Sequence, residues 1–119
     1  MRECRAEVVQ VQVSVPSSRV GARLARALVE SRLAACVQIL GPIQSHYRWR
    51  GRIERAREWL LLIKTRGVLL DALEAELQRL HPYEVPEILA IPVQSAHAPY
   101  LDWLRRECPR RRRRDRAGA

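Results

Sequence analysis

Val9, Val11, Val13 and Val15 alternate with Gln10, Gln12 and Ser14, and a period of two is the mark of a strand with one buried face. Pro16 breaks the alternation, and Ser17-Ser18 offers hydroxyl oxygens to the free N–H groups of a helix reaching about Arg32. Val20, Leu24, Ala27 and Leu28 form its apolar stripe, opposite Arg19, Arg23, Arg26 and Glu30. Such a helix covers a sheet rather than lying on a membrane surface.

A second strand runs over 35–40, pauses at Gly41-Pro42, and resumes with Ile43, Ser45, Tyr47 and Trp49 alternating with Gln44, His46, Arg48 and Arg50. The pattern predicts one long, bent strand. Arg50-Gly51-Arg52 supplies a turn, and 57–64 returns antiparallel to complete an extended hairpin. Thr65 is placed to cap a second helix with the stripe Leu69, Ala72, Leu73, Leu77 and Leu80, which Pro82 ends at His81. A fourth strand over 87–93 contains Pro92, which points to a sheet edge. Pro99 opens a short helix carrying Tyr100, Leu101 and Leu104, and Pro109 closes it.

The order β-α-β-β-α-β plus a terminal helix predicts an α+β, ferredoxin-like sandwich with a long central hairpin, both main helices lying on one face of an antiparallel sheet. The other face has no cover of its own. Tyr47, Trp49 and Trp59 lie on strands long enough to project beyond the sandwich, which implies a partner.

Composition sharpens this picture. With 119 residues, 47% hydrophobic and 29% charged, the chain fits a single domain. Apolar runs such as 59–63 fall far short of the roughly 20 residues that cross a bilayer. The N-terminal residues lack the continuous apolar stretch of a secretory signal, so a cytoplasmic location is expected. Cys4, Cys36 and Cys108 form neither a disulfide framework nor a zinc knuckle, and reduced thiols are expected. Of the net charge of +9, the segment 105–119 contributes eight arginines against Glu107 and Asp115, leaving +3 for the body.

Five segments in order, Leu33-Ala34-Ala35-Cys36-Val37, Tyr47-Arg48-Trp49-Arg50-Gly51, Leu62-Ile63-Lys64-Thr65, His81-Pro82-Tyr83-Glu84-Val85-Pro86-Glu87 and Pro99-Tyr100-Leu101-Asp102-Trp103, resemble the CutA family of divalent-cation-tolerance proteins. The resemblance covers about residues 8–106. It leaves 1–7 as an N-terminal extension and 107–119 as an Arg-rich tail expected to be disordered. It implies a homotrimer in which long hairpin strands pair between subunits, closing the sheet edges. It also implies tolerance of divalent metals, copper above all, without an obligatory cofactor.

His81 is the first metal-ligand candidate, since an imidazole nitrogen suits copper or zinc and Pro82 fixes the backbone beside it. A histidine near the free carbonyls of a helix C-terminus is its structural alternative. The resemblance implies a ligand cysteine on the first strand and a histidine pair before the proline. Here those positions hold Val13 and Leu80, so other donors are needed. Cys36 is the available sulfur, although a cysteine among apolar neighbours commonly packs as a small hydrophobe. Glu84 and Glu87 offer carboxylates for a mixed oxygen and nitrogen site. Lys64, Tyr83, Glu87, Trp49 and Trp103 are candidates to line a cleft between subunits for a small anionic ligand.

A phosphate-cradling glycine loop, H-E-x-x-H and G-x-S-x-G are all missing from the sequence, which favours a binding or regulatory protein over an enzyme. The alternative is a nucleic-acid-associated module acting through the tail arginines 110–114.

Overall fold

The computed structural model describes residues 6–110. β1 (Val8–Val15) leads into α1 (Ser18–Glu30), β2 (Cys36–Trp49), β3 (Arg52–Arg66), a 3-10 turn (Gly67–Leu69), α2 (Leu70–Leu80), β4 (Ile88–Pro92) and α3 (Ala98–Glu107). The four strands form one sheet in the order β2-β3-β1-β4, and every neighbouring pair is antiparallel. This is the ferredoxin-like α+β arrangement that the pattern predicts, with Pro92 on an edge strand.

The alternating valines of β1 are fully buried, and they meet Leu61 and Ile63 of β3, Leu24 and Leu28 of α1, and Leu73 and Leu77 of α2. Each such side chain removed from water contributes about 1.5–3 kcal/mol. The Ser17 hydroxyl caps α1 by accepting from the Val20 N–H at 3.1 Å. A smaller cluster of Val8, Ala35, Leu69, Leu104 and Cys108 docks α3 on the far end of the sheet. Arg32 and Arg66 each donate to carbonyls at the end of that helix, Glu107 O at 3.5 Å and Cys108 O at 3.3 Å. These cations satisfy acceptors that a helix terminus leaves free.

Thr65 does not cap a helix. It pairs with Val9 as a strand residue, and its buried hydroxyl donates to Leu33 O at 2.7 Å. β3 therefore runs on to Arg66, and α2 starts after the 3-10 turn with no side-chain cap. β3 also begins earlier than the apolar run suggests, at Arg52, because Arg50 (φ 50°) and Gly51 (φ 78°) form a two-residue reversal directly after Trp49. Positive φ at both central positions is the hairpin turn whose twist matches the flanking strands.

Between Leu40 and Ile43 the register shifts, so that Gly41 and Pro42 stand opposite Trp59 alone. This two-against-one bulge fits glycine because a Cβ at Gly41 would lie 2.4 Å from Trp59 Cδ1. The bulge joins two surfaces. On one side, Leu40, Leu60, Leu62, Leu89 and Ile91 of the uncovered sheet face continue into Ile43, Tyr47 and Trp49 of the projecting hairpin. On the helix side, Trp59 continues into Arg57 and Arg55.

Beyond the last pairing with β1, at Trp59, β3 extends over 52–58, a reach of about 20 Å. Among the described residues no helix is long and apolar enough to cross a membrane. The tail expected over 107–119 and the extension over 1–7 fall largely outside the described residues. Their inner ends are ordered parts of the domain: Gly67 N–H donates to Glu7 O at 2.9 Å, and Cys108 belongs to the small core cluster.

Candidate ligand-binding site

Pro82 disfavours helical geometry at the residue before it, and His81 accordingly leaves α2 in extended conformation with φ −75° and ψ 135°. The chain turns there, carrying the imidazole back against the end of β1. The Tyr83 N–H donates to His81 Nδ1 at 3.0 Å. That nitrogen is thus the acceptor, so Nε2 carries the hydrogen and donates to Ser14 O at 2.8 Å. With 7% of its surface exposed and both nitrogens occupied, His81 fastens the loop to the sheet.

Tyr83 packs its ring 4.8 Å from the imidazole centroid. Its hydroxyl donates to Glu58 Oε2 at 2.7 Å, on the projecting part of β3. Burial, followed by the bond to Glu58, pushes the phenol well above its usual range. Glu58 is itself buried, with 6% exposure, and Tyr47 lies close enough to add to the shift at Tyr83. A carboxylate, two phenols and an imidazole thus meet where the loop after α2 touches the hairpin.

Glu84 and Glu87 flank this group. Glu84 is exposed and lies 3.9 Å from an Arg50 nitrogen, a contact that adds little in solvent. Glu87 accepts a hydrogen bond from Gln12 Nε2 at 3.3 Å. Cys36 sits elsewhere, half-buried and paired across the strands with Lys64, whose ammonium donates to Gln38. The row Cys36–Lys64–Gln10 is separated from the row Leu40–Leu60–Ser14 by four residues along the sheet, or about 13 Å. Trp49 stands at the hairpin tip beneath the Arg50 guanidinium, 5.7 Å from the ring centroid. Trp103 lies on α3, 5.4 Å from Tyr100, packed against the small core cluster.

Within one chain, then, His81 and Tyr83 are in contact, Glu84 and Glu87 on the same loop turn to Arg50 and Gln12, Trp49 shares Arg50 with Glu84, and Cys36 with Lys64, and Trp103, lie elsewhere. Among the described residues no three or more His, Cys, Asp or Glu side chains are grouped to hold a metal ion. A single chain does not present a divalent-metal cage. Two participants escaped sequence reasoning. Glu58 is a carboxylate beside the run 59–63, a visible signal of a buried polar contact, while Ser14 acts through its backbone and leaves no mark in the sequence.

Residues 9–107 match the CutA1 divalent ion tolerance protein family. The divalent-cation tolerance protein CutA of Thermus thermophilus is 47% identical over 95 residues, covering 80% of this chain and 92% of that protein. Human protein CutA is 46% identical over 93 residues, covering 78% of this chain, and the chain spans 52% of the human protein's length. Among solved structures, the Thermus thermophilus protein superposes with a TM-score of 0.82 at 45% identity, covering 84% of this chain and 97% of that one. CutA1 from Oryza sativa gives a TM-score of 0.86 at 40% identity, covering 89% and 97%. With a match over nearly the whole described fold and such identity to relatives, the chain belongs to the CutA1 divalent ion tolerance protein family.

Proposed function

We propose that the chain works as a cytoplasmic, non-enzymatic homotrimer of the divalent-cation-tolerance type, with its ligand site shared between copies. The observation that carries this reading is the set of exposed apolar side chains on the uncovered face, Leu89 and Ile91 on β4 and Leu40, Tyr47 and Trp49 on β2, interspersed with Gln10, Gln12 and Glu54. Leu89 is 52% exposed and Trp49 43% exposed in the isolated chain. Such a surface calls for a covering partner; the family resemblance supplies three as the number of copies and the hairpin as the element that pairs. The loop 81–87 borders this surface, so a neighbouring copy would complete the walls of a cleft around Tyr83, Glu84 and Glu87.

The proposed ligand is a divalent cation, copper or zinc, or a small anion. Because the His81 nitrogens already serve Tyr83 and Ser14, a cation site needs donors from more than one copy. Sedimentation equilibrium tests the assembly: a trimer at micromolar concentration is expected, and a stable monomer overturns the reading. Calorimetric titration with copper and zinc tests the ligand. A heat that saturates near three ions per trimer, one at each boundary between copies, supports a shared site, and the absence of heat from either ion removes the cation. Equal heats for the parent and His81→Ala exclude His81 as a donor.

A further inference from the structure

We propose that the outer face of the projecting hairpin, formed by Arg48, Arg55 and Arg57, binds the phosphate backbone of a nucleic acid. The two faces of this ribbon differ sharply in charge. Cross-strand partners share a face, and the pairs Gln44–Arg57, His46–Arg55 and Arg48–Ile53 therefore lie together. The opposite face holds Ser45–Ala56, Tyr47–Glu54 and Trp49–Arg52, and with Glu58 beside Ile43 it carries both carboxylates of the segment. The outer face has cations and no acid.

Arg48, Arg55 and Arg57 are exposed, and among the described residues no carboxylate pairs with any of them. Arg57 is held with its guanidinium 5.5 Å from the Trp59 ring centroid. This contact orients the group while leaving its donors free. Beside it, Pro42, Ile43, Gln44, Arg55, Ala56 and Arg57 line a shallow groove created at the bulge. Arg55 and Arg57 are two residues apart on one strand, about 6.8 Å, which is two steps of the roughly 3.4 Å rise per nucleotide. Arg48 extends the row to about 13 Å, a length suited to repeated phosphates rather than one small anion.

The row lies on the helix side of the sheet, the face opposite the apolar side chains proposed to meet other copies. It requires no assembly to exist. The chain's net charge of +9 favours the same class of partner. No Phe, Tyr or Trp lies on this face between Arg57 and the tip, so the contact is chiefly with backbone charge.

Fluorescence anisotropy of the full chain with labelled duplex DNA of about 20 base pairs, and with one strand of it, tests the idea across a range of salt concentrations. The parent is expected to bind the duplex in a salt-dependent way. The combined variant Arg48→Gln, Arg55→Gln and Arg57→Gln is expected to lose at least about tenfold in affinity at low salt, with a log–log salt slope shallower by about 2 to 3. Single variants at Arg48 and Arg55, both solvent-exposed, are each expected to reduce the slope by about one; they keep the test decisive if the combined variant folds poorly. A chain with glutamine at 110–114 is expected to retain a component of binding that the hairpin substitutions remove. No binding by the parent, or an unchanged affinity and slope in the hairpin variants, overturns the proposal.

Discussion

The Tyr83 hydroxyl donates to the buried Glu58 carboxylate across 2.7 Å, tying the loop after α2 to the projecting half of β3. The bond spans 25 residues of sequence and couples two elements that otherwise touch chiefly through exposed side chains.

Replacing Tyr83 by phenylalanine keeps the ring against His81 but leaves Glu58 without this donor. The expected loss is about 1–3 kcal/mol, because a buried acceptor is stripped of its partner. Urea unfolding checks it: the midpoint falls while the slope stays the same.

The same pair predicts an alkaline effect. The folded phenol is held neutral above the ordinary tyrosine value of about 10, so its contribution to stability is complete below that pH. Above it the unfolded chain ionises first and binds fewer protons, and stability falls as pH rises towards the folded value. Urea midpoints for the parent are expected to decline above pH ~10 more steeply than those of Tyr83→Phe. Parallel declines would remove Tyr83 as the cause.

Gly41→Ala is expected to destabilise by about 1–3 kcal/mol, since the new methyl would overlap the Trp59 indole, which is itself packed against the core. Thermal unfolding together with tryptophan fluorescence reads both the loss and the displacement of the ring.

Thr65→Val preserves shape and strand propensity but removes the hydroxyl that donates to Leu33 O. A cost of about 1–3 kcal/mol in urea unfolding is expected. A role as helix cap would instead have predicted a loss of helical signal around α2.

Cys108 is fully buried, and its thiol is pushed up chiefly by that burial. Thiolate is the reactive form, so brief iodoacetamide treatment of the native protein is expected to label Cys36 well ahead of Cys108. Peptide mapping by mass spectrometry checks this, and addition of denaturant should equalise the two.

The sequence carried the framework because its dominant signals are local and periodic. The valines of β1 and the alternation of Tyr47 and Trp49 with Arg48 mark faces directly, and Gly41-Pro42 marks the bend between them. Thr65 was misleading for a physical reason: a β-branched hydroxyl residue suits both a strand and a cap, and pairing with Val9, remote in sequence, decides between them. The candidate site was legible only in part. Pro82 flags His81, but its two hydrogen-bond partners are a backbone N–H and a backbone carbonyl, which any residue type supplies. Cys36, Lys64 and His81 read as neighbours in a list of motifs; strand register places the first two at the opposite end of the sheet from the third.

Two residues of β2 facing one of β3 act as an elbow between the sheet and the outer arm. Losing either Gly41 or Pro42 would leave one residue opposite Trp59 and restore regular pairing, with Ile43 still opposite Glu58 and Tyr47 and Trp49 still on the uncovered face. What such a deletion would take away is the local bend and added twist, so the outer arm would keep its two faces and point in a new direction.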